Sequence, residues 1–165
     1  FLHSRLWQKP RVGPAASFNA VEFVPPVDPL DEQYPLRLTT GRRLDSYNTG
    51  VQTGGFTSPL RRSETLDVSP EDGIRYAIAE GELVRVSSRR GSLLVAVRYD
   101  SSLRPGLTFM TMHFPDEVAT NFLTIDAVDP KSGTSEFKAT AIRIDKVVAE
   151  KDYEIASVAE GVKVS

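Results

Sequence analysis

The chain has no cysteine among its 165 residues, and no other feature removes as many folds and chemistries. Disulfide scaffolds, cysteine-ligated zinc, iron–sulfur clusters and thiolate nucleophiles all need a sulfur that is absent. His3 and His113 are the only histidines, so a histidine-rich metal site is excluded as well. Packing and hydrogen bonding must therefore hold the fold. With 40% hydrophobic residues there is enough apolar material for one globular domain with tails, because a chain of this length buries about 70% of its unfolded surface. Twenty basic residues against 22 acidic ones leave a formal charge of −2, which argues against general affinity for nucleic acid or an anionic membrane. No apolar run approaches the roughly 18 residues of a membrane span. The N-terminus shows no signal-peptide pattern, so a cytoplasmic protein is expected. The chain opens at Phe1 in an irregular segment and reads as a piece of a longer polypeptide.

Residues 1–33 hold Pro10, Pro14, Pro25, Pro26 and Pro29. Proline removes an amide donor and disfavours helix in the residue before it, so no long regular element is expected there. The apolar Leu6, Trp7, Phe18, Val21 and Phe23 point to an extended arm draped over this domain or over the rest of the parent. From Leu36 to Thr40 apolar and polar residues alternate at period two, the pattern of a strand ending at Gly41. The polar run 42–55 carries Gly50, Gly54 and Gly55. It reads as a functional loop, and residues 41–55 are expected to be mobile in the isolated domain without a ligand.

Leu66 to Val68 is a short strand. Ser69-Pro70-Glu71-Asp72 then starts a helix: serine caps, proline suits the first helical position and the acids favour the positive end of the dipole. Ile74, Ala77 and Ile78 give it a small apolar face, and Gly81 ends it. Leu83–Ser87 and Leu93–Arg98 form a hairpin across Arg89-Arg90-Gly91-Ser92. Leu107–Met112 and Lys138–Val148 complete the strands, with Ile142 and Ile144 on one face. Residues 149–165 form a polar tail. The core, 34–148, is therefore a small barrel-like β domain with one or two short helices.

Catalytic constellations are missing. There is no Cys–His pair, no G-x-S-x-G elbow, and no P-loop or dinucleotide fingerprint after a strand. A lone histidine beside a strand, such as His113, is more often structural than catalytic. Glu71 and Asp72 are explained by the helix start. What remains resembles an anion site. Thr39-Thr40-Gly41-Arg42-Arg43 stands at a strand end, where amides can point outward, glycine admits a ligand and guanidinium groups grip phosphate. Ser46, Asn48 and Thr49 add short hydrogen-bonding side chains. Asn121-Phe122-Leu123-Thr124 and Glu136-Phe137-Lys138 are further polar islands beside apolar anchors. Arg61-Arg62 and Arg89-Arg90 read as solvated surface.

Several segments together resemble the C-terminal domain of molybdopterin-dependent oxidoreductases. They are Tyr34-Pro-Leu-Arg-Leu-Thr-Thr-Gly-Arg42, Tyr47-Asn-Thr-Gly50, Val68-Ser-Pro-Glu-Asp72, Gly81-Glu-Leu-Val-Arg-Val-Ser-Ser-Arg-Arg-Gly91 and Pro105-Gly106. His113-Phe114, Asn121-Phe-Leu-Thr124, Asp129-Pro130 and Glu136-Phe-Lys138 complete the set, in order, over residues 34–147. The alpha subunits of formate dehydrogenases are similar also in the proline-rich approach, Phe23-Val-Pro-Pro26.

The resemblance implies a six-stranded double-psi β-barrel that closes over bis-molybdopterin guanine dinucleotide with molybdenum or tungsten. It would place Thr40, Gly41, Arg42 and Arg43 on the phosphate and pterin side and line the same loop with Ser46, Asn48 and Thr49. Asn121, Phe137 and Lys138 would complete the pocket, with His113 near the pterin. Many relatives carry histidine where Ser46 or Asn48 stands. The metal ligand, the iron–sulfur cluster and the catalytic residues belong to upstream domains of the same polypeptide, with electron-transfer subunits as further partners. The chain alone is therefore not expected to turn over. A nitrate or other oxyanion reductase uses the same domain. From other classes, a metal-free double-psi barrel adaptor and a nucleotide-binding regulatory domain are the competing readings.

Overall fold

The computed structural model describes residues 17–43 and 63–147, together with Lys9, Gly13, Ser46 and Asn48. Six strands close into one barrel: β1 (Leu36–Thr40), β2 (Thr65–Val68), β3 (Leu83–Ser87), β4 (Ser92–Tyr99), β5 (Leu107–Met110) and β6 (Thr140–Lys146), in the spatial order β1-β5-β2-β4-β3-β6. β1 with β5 and β2 with β4 are parallel, and every other neighbouring pair is antiparallel. This is the expected double-psi barrel, mainly β with very little helix.

Period two decides which side of each strand faces inward. In β1 the even-numbered Leu36, Leu38 and Thr40 are buried, while Arg37 and Thr39 are only partly covered. Leu66, Val84, Val86, Val95, Val97, Met110 and Ile142 meet them in a single apolar core. Each such side chain contributes about 1.5–3 kcal/mol on burial. Among the described residues no helix is long and apolar enough to cross a membrane.

Several elements stop earlier than their sequence pattern. The helix α1 (Pro70–Arg75) begins as expected, with Ser69 Oγ accepting from the Asp72 amide at 3.1 Å. It ends well short of Gly81, because Ala77 turns into the left-handed region at φ 53°. Ile78 is therefore buried while Ile74, expected on the apolar face, is 81% exposed. β5 ends at Met110 rather than Met112, since the next amide, Thr111, donates to the buried Glu64 at 3.0 Å instead of continuing the ladder. A 3-10 turn at Thr120–Phe122 opens the polar island at Asn121.

The arm divides in two. Phe18, Val21 and Phe23 are exposed, so the barrel does not cover them. Asp28, by contrast, is 2% exposed and is gripped by Arg89 at 2.6 Å, Arg90 at 2.7 Å and the Ala141 amide at 2.9 Å. Burial pushes its carboxyl up, but the bonds and charge from Arg90, the Ala141 amide and Arg89 prevail and hold it below the usual carboxylate value. Arg89 and Arg90 lie at the surface, as expected, but they are not merely solvated. They are the barrel's half of an ion-pair clamp on the arm. Leu6, Trp7, Arg61, Arg62 and residues 149–165 lie outside the described residues.

Candidate functional site

β1 leaves the barrel at Thr40. The Thr40 hydroxyl donates to the Phe137 carbonyl at 2.8 Å, and Lys138 Nζ donates to the Thr40 carbonyl at 2.5 Å. These two bonds lay the 137–138 segment along the strand end, with the Lys138 ammonium 5.1 Å from the centre of the Phe137 ring. Gly41 continues the register through its amide to the Met110 carbonyl at 3.2 Å. A Cβ at Gly41 would stand 2.9 Å from the Phe109 ring and 4.0 Å from Lys138 Nζ. The backbone here passes too close to Phe109 for any side chain, so a bare peptide edge is left beside an ammonium group.

His113 then ties down the loop that follows. It is completely buried. Its Nε2 accepts from the Arg43 amide at 3.0 Å, and its Nδ1 faces the Asn48 carbonyl. A carbonyl only accepts, so Nδ1 carries the proton and both ring nitrogens are committed to backbone. His113 is in turn supported from behind. Its own amide donates to the Thr111 hydroxyl at 3.2 Å, and that hydroxyl donates to the buried Glu64 carboxylate. Asn48 sits at φ 47°, a left-handed position that asparagine tolerates, and its side-chain oxygen accepts from Arg42 Nε at 2.5 Å.

The two arginines differ. Arg42 is exposed. The Arg43 guanidinium lies 5.0 Å over the Phe109 ring and pairs with Asp67, a carboxylate with no exposed surface. Arg98 reaches the same carboxylate through two nitrogens at 2.8 and 2.6 Å. Arg42 therefore offers charge outward, whereas Arg43 spends its charge on the fold. Ser46 is buried, and its hydroxyl has no hydrogen-bond partner among the described residues.

Thr40, Gly41, Arg42, Arg43, Ser46, Asn48, His113, Phe137 and Lys138 thus gather around one strand end. Asn121 stands apart, exposed on the 3-10 turn, and lines a small cavity of about 40 Å³ with Met112, Pro115, Val118, Ala119 and Thr120. The link between the two regions is Thr120, whose hydroxyl donates to the Thr111 carbonyl at 2.7 Å, two residues before His113. Thr49 and the rest of the 49–55 run lie outside the described residues, as does the mobility expected of them. Sequence reasoning missed Asp67 and Glu64. An aspartate between Leu66 and Val68 in a strand was the available signal, because a carboxylate in an apolar strand needs a cation.

Among the described residues of this site, none is placed to attack or to take a proton from a ligand: His113 and Arg43 bond to the chain itself. Arg42, Lys138, the bare edge at Gly41 and the Ser46 hydroxyl, which has no partner among the described residues, instead suit an anionic ligand rich in acceptors. A dinucleotide diphosphate with a pterin fits that donor set.

The Molydopterin dinucleotide binding domain family matches residues 36–141. The alpha subunit of a formate dehydrogenase from Methanococcus maripaludis is 39% identical over 79% of this chain. The assimilatory nitrate reductase of Haloferax mediterranei is 39% identical over 83% of it. In each case the chain spans 19% of the relative's length. Among solved structures, acetylene hydratase from Pelobacter acetylenicus superposes with a TM-score of 0.61 over 70% of this chain and 19% of its own, at 15% identity, a likeness of fold.

Proposed function

The chain belongs to the Molydopterin dinucleotide binding domain family, and from that premise we propose that it closes one side of a bis-molybdopterin guanine dinucleotide in a formate dehydrogenase-like oxidoreductase. When bound, the cofactor with its molybdenum or tungsten supplies two-electron exchange with the substrate. The chain's own part is positioning. Gly41 lets phosphate oxygens approach the backbone, Arg42 and Lys138 supply charge, the Ser46 hydroxyl, Asn48, Thr49 and Phe137 complete the pocket, Thr40 holds the Phe137 segment in place, and Asn121 adds a contact from the separate 3-10 turn. His113 and Arg43 hold the loop in the shape that presents these groups. The metal ligand, the iron–sulfur cluster and the groups that handle substrate would belong to upstream domains, and electron-transfer subunits in the cytoplasm would be the further partners.

The observation that carries this reading is the convergence of Gly41, Arg42 and Lys138 on one strand end within the matched residues 36–141. Formate as substrate rests on the Methanococcus relative and on the approach segment Phe23–Pro26. The Haloferax relative, at the same 39% identity, supports a nitrate reductase as the second reading.

Purification of the full-length parent with metal and pterin analysis tests both, alongside formate-dependent dye reduction and nitrate-dependent oxidation of reduced dye. Molybdenum or tungsten with formate-driven reduction, lost with the pterin in an Arg42→Gln, Lys138→Gln double variant, is the expected result. Metal with nitrate activity alone would move the substrate. A parent without metal or pterin would overturn the function.

A further inference from the structure

The Arg89-Arg90-Gly91 turn between β3 and β4 touches two segments that are remote in sequence. On one side Arg90 Nη2 binds Asp28 of the arm at 2.7 Å. On the other, its Nε and Nη2 donate to the Leu123 carbonyl at 3.2 and 2.9 Å. Leu123 closes the 3-10 turn Thr120–Phe122 that carries Asn121. At the same point a Cβ on Gly91 would stand 2.9 Å from the Phe122 carbonyl, so the turn lies directly against that backbone. A guanidinium is planar and presents its donors in a fixed fork. The carboxylate that sets its orientation therefore also sets where the Leu123 carbonyl is held.

We infer that Asp28 is a positioning residue for the Asn121 segment: through Arg90 it holds the Leu123 carbonyl and so fixes the 120–124 backbone that presents Asn121. The inference rests on the proposed function only in taking Asn121 as a cofactor contact. The relay itself stands on the contacts alone. Because Asp28 belongs to the arm, the placement of the Asn121 segment depends on how the chain entering the barrel is seated. Arg37 strengthens this seat, since its Nη1 donates to the Asp28 carbonyl at 2.7 Å and to the Ala139 carbonyl at 2.6 Å.

The test uses the full-length parent with three variants, read by amide exchange and by pterin content. Asp28→Asn removes the charge that orients Arg90. Exchange in residues 119–125 should rise about tenfold, because the amides of Phe122, Leu123 and Thr124 lose their fixed turn. Exchange in β4, and in β6 apart from the Ala141 amide that bonds Asp28 itself, should not change. Arg90→Lys keeps a cation for Asp28 but cannot span both partners, so it should loosen 119–125 while leaving 28–34 protected. It also decides the matter if the Asp28 variant does not fold. Pterin content should fall in both.

Wild-type exchange at 119–125 in Asp28→Asn, or an equal rise across all the strands, would overturn the relay. Asn121→Ala separates the two claims. It should lower pterin content with exchange unchanged. Full pterin content in that variant would remove Asn121 from the cofactor site while leaving the relay intact.

Discussion

Two buried aspartates, Asp28 and Asp67, are each gripped by two arginines, and they do different work. Asp67 lies inside β2, and its partner Arg98 is its register neighbour on β4, so closing the barrel brings the pair together. Arg43 then joins from the loop after β1. Asp28 belongs to no strand, and its partners Arg89 and Arg90 are adjacent in one turn, 61 and 62 residues away. The first cluster forms with the barrel wall and fastens the candidate site loop to it. The second joins the arm to the β3–β4 turn and to β6. Identical chemistry thus serves the core in one place and a docking contact in the other.

Removing Asp67 is the severest way to probe this contrast. Asp67→Asn leaves Arg43 and Arg98 without their shared carboxylate and should destabilise the chain by about 3 kcal/mol in urea unfolding. Asp28→Asn should cost less, about 1–2 kcal/mol, with an unchanged denaturant slope, because only a docking contact is lost. Equal losses in the two variants would erase the distinction. Gly41→Ala tests the site side of the Asp67 cluster. The added methyl runs into the Phe109 ring that also lies under Arg43, so a loss of about 1 kcal/mol is expected together with reduced pterin in the parent.

A smaller effect separates the clusters by pH. Asp28 titrates below its ordinary value in the folded state. Its contribution is therefore complete above the unfolded value of about 3.9 and is lost as pH falls through the lower folded value. The stability gap between wild type and Asp28→Asn should accordingly be constant from neutral pH to about pH 5 and shrink below pH 4. A gap that widened toward acid would show that the carboxylate is not held in its ionised form. The smallest change in stability is expected for the exposed Arg42. Arg42→Gln should change the unfolding free energy by less than about 0.5 kcal/mol while still lowering pterin retention in the parent.

Much of this was legible along the chain. The alternation Leu36–Thr40, the hairpin about Gly91 and the Ser69-Pro70 helix start were readable, because each depends on neighbours within a few residues. The Thr40–Arg43 cluster was readable for the same reason. Arg89 and Arg90 are at the surface as expected, but their ion pairs with Asp28 lay in no local pattern, because Asp28 is more than 60 residues away. The helix was drawn too long because only the tertiary contacts of Ile78 with the core pull the chain out of helix at Ala77. His113 looked structural, and its buried bonds to the chain agree, but its role as the tie between Arg43 and Asn48 lay in no local pattern.

The amino-acid sequence by itself determined the strands and turns, the absence of sulfur chemistry and the polar strand end at Gly41. These follow from local periodicity, backbone sterics and composition. Only the tertiary structure decided that β1 runs parallel to β5 and β2 to β4, that His113 reaches Asn48 across 65 positions, and that Asp28 and Asp67 find their arginines. Such pairings depend on closing long loops in one register. Loop closure adds an entropy that varies only slowly with chain length, so no local pattern along the sequence selects among them.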